Sequence, residues 1–406
     1  MLNAKVSSLA NREFARQQHT LSLIPSENYV SAAVQQAQSS AFTNKYAEGY
    51  PGKRYYGGTA VCDELETLCQ RQAQKVFQTD YFVNVQPYSG SPANLAAYLG
   101  LLEVGDTIMG LNLGAGGHLT HGHKVSLTAK LFNSVQYNVD PETHLINFDE
   151  LERLAYEHKP KLIISGATAY ARTLDFKKFA AIAKKVGAYS LADISHISGL
   201  VATGLHPSPF GVIDVVTTTT HKMLRGPRGG LIFVRDEENF TKINKVVFPG
   251  LQGGPHLHTI SAITQALFEA DSPNYKKYCQ QILKNAQAMV KVLQQRGFTI
   301  VTGGTDNHLW LIDLRSKNLT GAEAQEKLES CGLVANKNTI PYDPAGPFRP
   351  SGIRLGTPAI TTRGLKEKDC ERLAGFIADI LEGKSVANKE VRAFINRFPM
   401  PTVSSV

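Results

Sequence analysis

Between residues 80 and 235 the chain alternates short β-branched or apolar runs with stretches of helical periodicity, and this alternation restricts the fold more than any other feature. The runs are "YFVNVQP", "DTIMGLNL", "KLIISGAT", "AYSLADIS", "DVVTTTT" and "GGLIFVR", with helices predicted from about 91 and near 149–158 and 175–186. Runs that are apolar on both faces belong inside a sheet covered on both sides. The pattern therefore predicts an α/β fold with a largely parallel sheet between helical layers, and a ligand crevice beyond the strand ends.

Upstream, helices are predicted at 4–18, at roughly 28–42 with Ser26 or Asn28 as cap, and over "DELETLCQRQAQKVF". Between the last two lies "TNKYAEGYPGKRYYGGTA", a long loop rich in tyrosine and glycine of the kind that carries function. Downstream, helices at about 256–270 and 274–296 lead to a smaller α/β unit. That unit holds "FTIVTG", "HLWLIDL", a helix at 320–331, "GLVANKN", "SGIRLG" and two terminal helices. The expected division is an N-terminal arm 1–22, a large domain 23–270 and a small domain 271–406.

Composition excludes several classes. At 42% hydrophobic and 19% charged the chain is an ordinary globular one. Its net charge of +8 is spread among acids rather than in blocks, which reads as a solvated surface with a local anion site and argues against a nucleic-acid partner. No apolar run reaches the roughly 18 residues of a membrane span, and the start has no cationic segment followed by an apolar core. The expected location is the cytoplasm, with no membrane contact. Cys62, Cys69, Cys279, Cys331 and Cys370 are scattered and never form CxxC, so no disulfide framework and no metal site is expected. Cys62 and Cys69 can share one helix face and read as core.

The strand ends carry the chemistry. Asp193 closes "AYSLADIS" and Lys222 follows "DVVTTTT", 29 positions on. An acid and an amine facing one crevice suit pyridoxal phosphate, which needs a lysine anchor and an acid to keep its pyridine nitrogen protonated; a plain Asp–Lys salt bridge is the ordinary alternative. "YSGSPAN" places Ser89, Gly90 and Ser91 at the start of a helix, where free amides and hydroxyls suit a phosphate or simply cap the helix. His118, in "GAGGHLTHG", can cover a flat ring or stand solvated in its turn, and His196 can meet the cofactor or bond within the core. Arg354, in "SGIRLG", offers a bidentate fork to a carboxylate or joins a structural ion pair.

Taken together, "TNKYAEGYPGKRYYGG", "GGHLTHG", "VVTTTTHK", "GPRGG", "FPGLQGGP", "GGTDNHL" and "SGIRLGTPAIT" occur in an order that resembles the serine hydroxymethyltransferase family over nearly the whole chain. The resemblance implies a fold-type I pyridoxal phosphate enzyme with a mostly parallel seven-stranded sheet in its large domain. It makes Lys222 the Schiff-base lysine, Asp193 the partner of the pyridine nitrogen and His118 the ring-stacking residue. Ser89, Gly90 and Ser91 become phosphate ligands, with Gly254 reaching the phosphate from the neighbouring subunit. Thr168, His196, Thr219 and His221 border the cofactor. Ser26, Tyr46, Tyr56 and Arg354 would bind the amino acid, Arg354 by its carboxylate. Glu48 would exchange protons near the folate, alongside Leu113, Gly117, Leu119 and Asn338. The implied reaction is reversible transfer of the serine side-chain carbon to tetrahydrofolate, giving glycine and 5,10-methylenetetrahydrofolate. A homodimer with shared sites, or a tetramer of dimers, is implied as well.

Some positions depart from the family pattern. Met223 stands where threonine is expected, Tyr88 and Pro92 where histidine and glutamine are common, Thr168 where a smaller residue is usual and Tyr342 where a polar one is. Two other readings accordingly stand beside the first. One is a folate-independent threonine aldolase or transaldolase, against which Glu48 and Asn338 argue; the other is a non-catalytic folate- or RNA-binding protein on the same scaffold.

Overall fold

The computed structural model describes residues 2–346, 348–384 and 388–401. They form two compact units, one of residues 33–279 and one combining 1–32 with 280–406. The first 32 residues thus belong with the C-terminal segment rather than forming a separate arm, and the division falls nine residues beyond the expected 270/271. None of the helices among the described residues is long and apolar enough to cross a membrane.

The unit 33–279 is built on a seven-stranded sheet. In chain order its strands are β1 (Phe82–Asn84), β2 (Thr107–Leu111), β3 (Asn133–Tyr137), β4 (Leu162–Gly166), β5 (Tyr189–Asp193), β6 (Val215–Thr219) and β7 (Gly230–Val234). Their spatial order is β1-β7-β6-β5-β4-β2-β3. From β6 to β3 all pairings are parallel, while β7 runs antiparallel to both β6 and β1. Strands β4, β6 and β7 are buried at every position, which is why they read as unbroken apolar or threonine runs. β3 escaped the sequence pattern because it is an edge strand: "NSVQY" is polar and mostly part-exposed. The expected largely parallel sheet is present, completed by this seventh strand.

The helix Ala60–Phe77 buries Cys62, Glu66, Cys69, Gln72, Ala73, Val76 and Phe77 along one stripe, so both cysteines face the core. The helix expected over 28–42 is instead a short helix Ala32–Gln38 and a single tight turn Ala41–Asn44. Asn28 does not cap it. Its Oδ1 accepts from the Tyr29 amide and from the Thr362 hydroxyl, which holds this segment against its own unit instead.

The other unit has a four-stranded antiparallel sheet in the order Thr299–Ile300, Leu309–Asp313, Gly352–Gly356, Asn336–Asn338. Leu21–Ser22 pairs in parallel with Leu333–Val334, and the Gly356 amide donates to Leu23 O, weaving the N-terminal segment in. Trp310, Leu21, Leu23, Ile353 and Leu355 are fully buried there. Each such aliphatic side chain contributes roughly 1.5–3 kcal/mol through burial. Arg363 closes the helix Ala4–Gln18: its guanidinium donates to the carbonyls of Gln17, Gln18, Thr20 and Phe398, satisfying acceptors the helix end leaves free.

Candidate active site

Asp193 ends β5 and is 8% exposed. Its Oδ2 accepts from Asn94 Nδ2 at 2.9 Å and His121 Nε2 at 3.1 Å, and its Oδ1 accepts from the Ser195 amide at 3.0 Å. Burial pushes this carboxyl up, but the hydrogen bond from His121, then the charges His121 and His118 carry when protonated, and the hydrogen bond from Ser195 outweigh it and hold the group far below the usual carboxylate range. The donor is fixed by its surroundings. The His118 amide donates to His121 Nδ1 at 3.3 Å, so the ring hydrogen sits on Nε2 and points at Asp193.

Asn94 is the hub of this arrangement. Besides Asp193 its Nδ2 donates to Thr120 Oγ1 at 2.9 Å, and its Oδ1 accepts from Thr217 Oγ1 at 2.6 Å. Thr120 in turn donates to His118 Nδ1 at 2.7 Å. Every polar atom of the buried asparagine is used, which orients the carboxylate and the neighbouring imidazole together. His118, half-buried, is pulled down to about 4 by burial first and then by His121, and the charges of Asp193 and Lys222 both act on it. These three residues therefore share one electrostatic neighbourhood. His118, His121 and Asp193 have ligand atoms within 4.8 Å of one another, yet this trio is already a connected hydrogen-bond network rather than three free donors.

Lys222 lies three residues beyond β6, whose Thr217 is in register with Asp193. Its Nζ donates to Thr219 Oγ1 at 2.9 Å. A hydroxyl partner for the amine thus comes from Thr219. Met223 is fully buried and packs against Gly199, its carbonyl accepting from Tyr275. His221 is pushed down to about 3 by burial and by the adjacent Lys222 and Arg228, and its buried Nδ1 has no hydrogen-bond partner.

The helix Gly90–Leu101 begins at Ser89, whose side chain makes no capping bond and leaves its hydroxyl available. A Cβ on Gly90 would lie 2.7 Å from Thr219 Cγ2 and 3.8 Å from Ser195 Oγ, so only glycine lets this helix start approach the end of β6. Ser195 Oγ accepts from the Thr219 amide at 3.1 Å, and His196, 4% exposed, follows it. Ser89, Gly90, Ser195, Thr219 and Lys222 are thereby gathered around one helix N-terminus that favours an anion. Across the sheet, the Thr168 amide donates to Gly116 O at 2.7 Å, fastening its loop to the turn bearing Gly117 and His118. A Cβ on Gly117 would lie 1.9 Å from Leu111 O, so the turn admits no other residue without rearranging. Leu113 is half-buried and Leu119 exposed beside it.

The tyrosine-rich loop forms a second cluster in the same unit. Tyr46 and Tyr56 meet edge to face at 5.1 Å, and both are about half exposed, at 54% and 49%. The charge of Glu48 and its hydrogen bond push the Tyr46 hydroxyl up. Gly253 and Gly254 lie against Glu48 and Tyr46. In the other unit, Arg354 is 7% exposed on the strand Gly352–Gly356, donates from Nε to Asn336 Oδ1 at 3.2 Å, and is lowered to about 10 by burial. Asn338 lies on the adjacent strand opposite Gly352, and Pro25, next to Ser26, packs on Gly356. Ser26, Asn338 and Arg354 thus occupy one region of that unit. Tyr342 is 55% exposed with positive φ (56°).

Asn94, Thr120, His121, Ser195 and Thr217 were not singled out by sequence reasoning. Asn94 is one helical turn on from Gly90, Thr217 shares a strand face with Thr219, and His121 is three residues from His118; these spacings were the available signal.

Comparison with known proteins places this geometry. The family model of serine hydroxymethyltransferase matches residues 1–377. The serine hydroxymethyltransferase of Rickettsia canadensis is 55% identical over 378 residues, 93% of this chain and 90% of the relative. Serine hydroxymethyltransferase 1 of Pseudomonas aeruginosa is 56% identical over 381 residues, 94% of this chain and 91% of the relative. Serine hydroxymethyltransferase 1 of Pseudomonas putida is 53% identical over 397 residues, 96% of this chain and 95% of the relative. The chain belongs to the serine hydroxymethyltransferase family, with the α/β architecture of fold-type I pyridoxal phosphate enzymes.

Proposed function

We propose that the residues gathered around β5 and β6 carry out the family's reaction, each in a distinct role. The activity is that of a pyridoxal-phosphate-dependent serine hydroxymethyltransferase, with tetrahydrofolate as co-substrate. The observation that carries the assignment of roles is the pairing of a buried carboxylate, held ionised by His121, Asn94 and Ser195, with the Lys222 amine beyond the neighbouring strand.

The residues present fit the coenzyme. An acid kept ionised, a lysine, an uncapped helix start opened by a glycine, and the unpartnered buried Nδ1 of His221 together match a cationic ring, an aldehyde and a phosphate. Bound there, pyridoxal 5'-phosphate supplies an electron sink for the charge that develops at the amino acid's α-carbon. Lys222 anchors the aldehyde, and Asp193 keeps a proton on the pyridine nitrogen. Ser89, Ser91 and the first amides of the helix Gly90–Leu101 take the phosphate. His118, kept neutral, would cover the ring without adding positive charge, and Thr168, His196, Thr219 and His221 would border it. Arg354 holds the substrate carboxylate, with Ser26 in the same unit, and the guanidinium remains protonated at neutral pH; the resemblance gives Tyr46 and Tyr56 a share in binding the amino acid. Glu48 moves the proton of the hydroxymethyl group. The resemblance gives Leu113, Gly117, Leu119 and Asn338 the role of receiving the pterin.

The exposed rings of Tyr46 and Tyr56, adjoining Gly253 and Gly254, support a homodimer in which this cluster, Gly254 included, completes the partner's site. Five free cysteines fit a reducing, cytoplasmic compartment. The test is reconstitution of the purified apoprotein with the coenzyme. A visible absorbance band and tetrahydrofolate-dependent cleavage of serine are expected, both lost in Lys222→Ala, with Asp193→Asn keeping coenzyme but losing most turnover. A band that survives Lys222→Ala, or serine cleavage indifferent to tetrahydrofolate, overturns the assignment.

A further inference from the structure

Tyr88 stands immediately before the Ser89–Ser91 turn, and four contacts tie its surroundings to a second loop. Its amide donates to Gln252 Oε1 at 3.0 Å, and its hydroxyl donates to the Gly254 carbonyl at 2.8 Å. Its ring lies flat on the His256 imidazole, centroids 4.0 Å apart and planes within 5°. Gln252 also grips the residue two places earlier, donating from Nε2 to Gln86 O at 2.8 Å. The loop continues the connection. A Cβ on Gly254 would lie 3.4 Å from the Tyr46 ring, and one on Gly253 would lie 3.4 Å from Glu48 Oε1. The Tyr88 hydroxyl is pushed up by burial first and then by Tyr46 and Glu48, in keeping with that proximity. A single line of contacts therefore runs from the turn through Tyr88 and Gly254 to Tyr46 and Glu48.

We propose that Tyr88 is a positioning residue that locks the Ser89–Ser91 turn to the Gln252–His256 loop and, through it, to the loop bearing Glu48, so that filling the phosphate site steadies the proton-handling carboxylate. The inference rests on the roles proposed above for the turn and for Glu48. Tyr88 touches no reacting atom in this scheme. It fixes where the turn's amides and the Glu48 loop stand relative to each other, a geometry whose loss costs phosphate affinity and turnover together.

The experiment titrates apoprotein with pyridoxal phosphate and, separately, with pyridoxal, followed by visible absorbance. In Tyr88→Phe the Gly254 carbonyl loses its donor, and the net worth of one hydrogen bond sets the expected loss of pyridoxal phosphate affinity at about three- to tenfold. Pyridoxal affinity, which needs no phosphate site, stays within about twofold of wild type by the same reckoning. At saturating coenzyme, kcat for tetrahydrofolate-dependent serine cleavage falls while KM for serine holds. His256→Ala, which removes the stack, moves both readouts in the same direction and keeps the test open should Tyr88→Phe fold poorly. Tyr81→Phe is the control, because Tyr81 also donates to a carbonyl (Ile213 O, 2.6 Å) in this unit without touching the loop; it leaves the pyridoxal phosphate to pyridoxal ratio unchanged. Equal weakening of both ligands, or wild-type ratio and kcat in Tyr88→Phe and His256→Ala, overturns the inference. If Lys222→Ala abolishes the visible band in those same experiments, only this inference has failed; if it does not, the reading beneath it has failed too.

Discussion

Replacing Arg54 by methionine tests what holds the tyrosine-rich loop in place. The Arg54 side chain is 3% exposed and uses four partners: Asp63 Oδ1 at 2.8 Å, Glu66 Oε2 at 2.6 Å, and the carbonyls of Ala47 at 3.0 Å and Gly49 at 2.7 Å. Glu66 is 1% exposed, and its other oxygen accepts from Gln86 Nε2 at 2.9 Å. Methionine matches the stem but leaves that carboxylate buried without a cation, a change that costs about 3–5 kcal/mol. The cost depends on pH. Burial pushes the Glu66 carboxyl up, and an acid whose folded pKa exceeds its unfolded value destabilises the fold as pH rises above the unfolded value of about 4.3. The deficit is therefore larger at pH 8 than at pH 5, as read from urea unfolding of the apoprotein.

Adding Glu66→Gln to Arg54→Met removes the stranded charge and recovers most of that stability. It does not restore the donors to Ala47 O and Gly49 O, so the loop bearing Tyr46, Glu48 and Tyr56 stays loose and turnover stays low in the double variant. Separate behaviour of stability and activity is the signature of a clamp. A single variant within about 1 kcal/mol of wild type at pH 8, where a broken buried pair costs several times that, refutes the reasoning, as does a deficit that shrinks as pH rises.

Two further outcomes follow from the site. Arg354→Lys exchanges a planar fork for a point charge on a buried strand and raises KM for serine at least tenfold, on the order of one bidentate charged hydrogen bond, while leaving coenzyme affinity unchanged; an unchanged KM assigns the carboxylate to another residue. His118 and His221 are held neutral by burial, at about 4 and about 3. A base whose folded pKa is depressed gives stability that is complete above its unfolded value of about 6.5 and is lost as pH falls toward the folded one, so His118→Gln and His221→Gln each flatten the decline in thermal midpoint of the apoprotein between pH 6.5 and 4, and an unaltered decline removes that residue as its cause.

How far the sequence revealed this protein depends on what each residue answers to. β4, β6 and β7 were legible because burial on both faces forces apolar or threonine runs, and the places of Asp193 and Lys222 were legible because each ends or follows such a run. β3 was not, since an edge strand with a polar face has no such constraint. The helix expected over 28–42 failed for a related reason: it begins only at Ala32, and Asn28 Oδ1 accepts from the Thr362 hydroxyl, 334 residues away and invisible to any window of sequence. The same long reach hides Asn94. Its three partners, Thr120, Asp193 and Thr217, come from three separate segments, and only the closed sheet brings them together. The residues proposed to perform chemistry stand out by type and by position at a strand end, whereas the residues that orient them are ordinary asparagines and threonines whose meaning arises from topology. That difference makes Asn94→Ala an informative replacement: it leaves Asp193 with His121 and Ser195 and so keeps it ionised, while releasing Thr120 and with it the orientation of His118. Coenzyme remains bound and kcat falls. An asparagine whose removal left kcat untouched would mean that β5 and β6 alone hold the carboxylate in place.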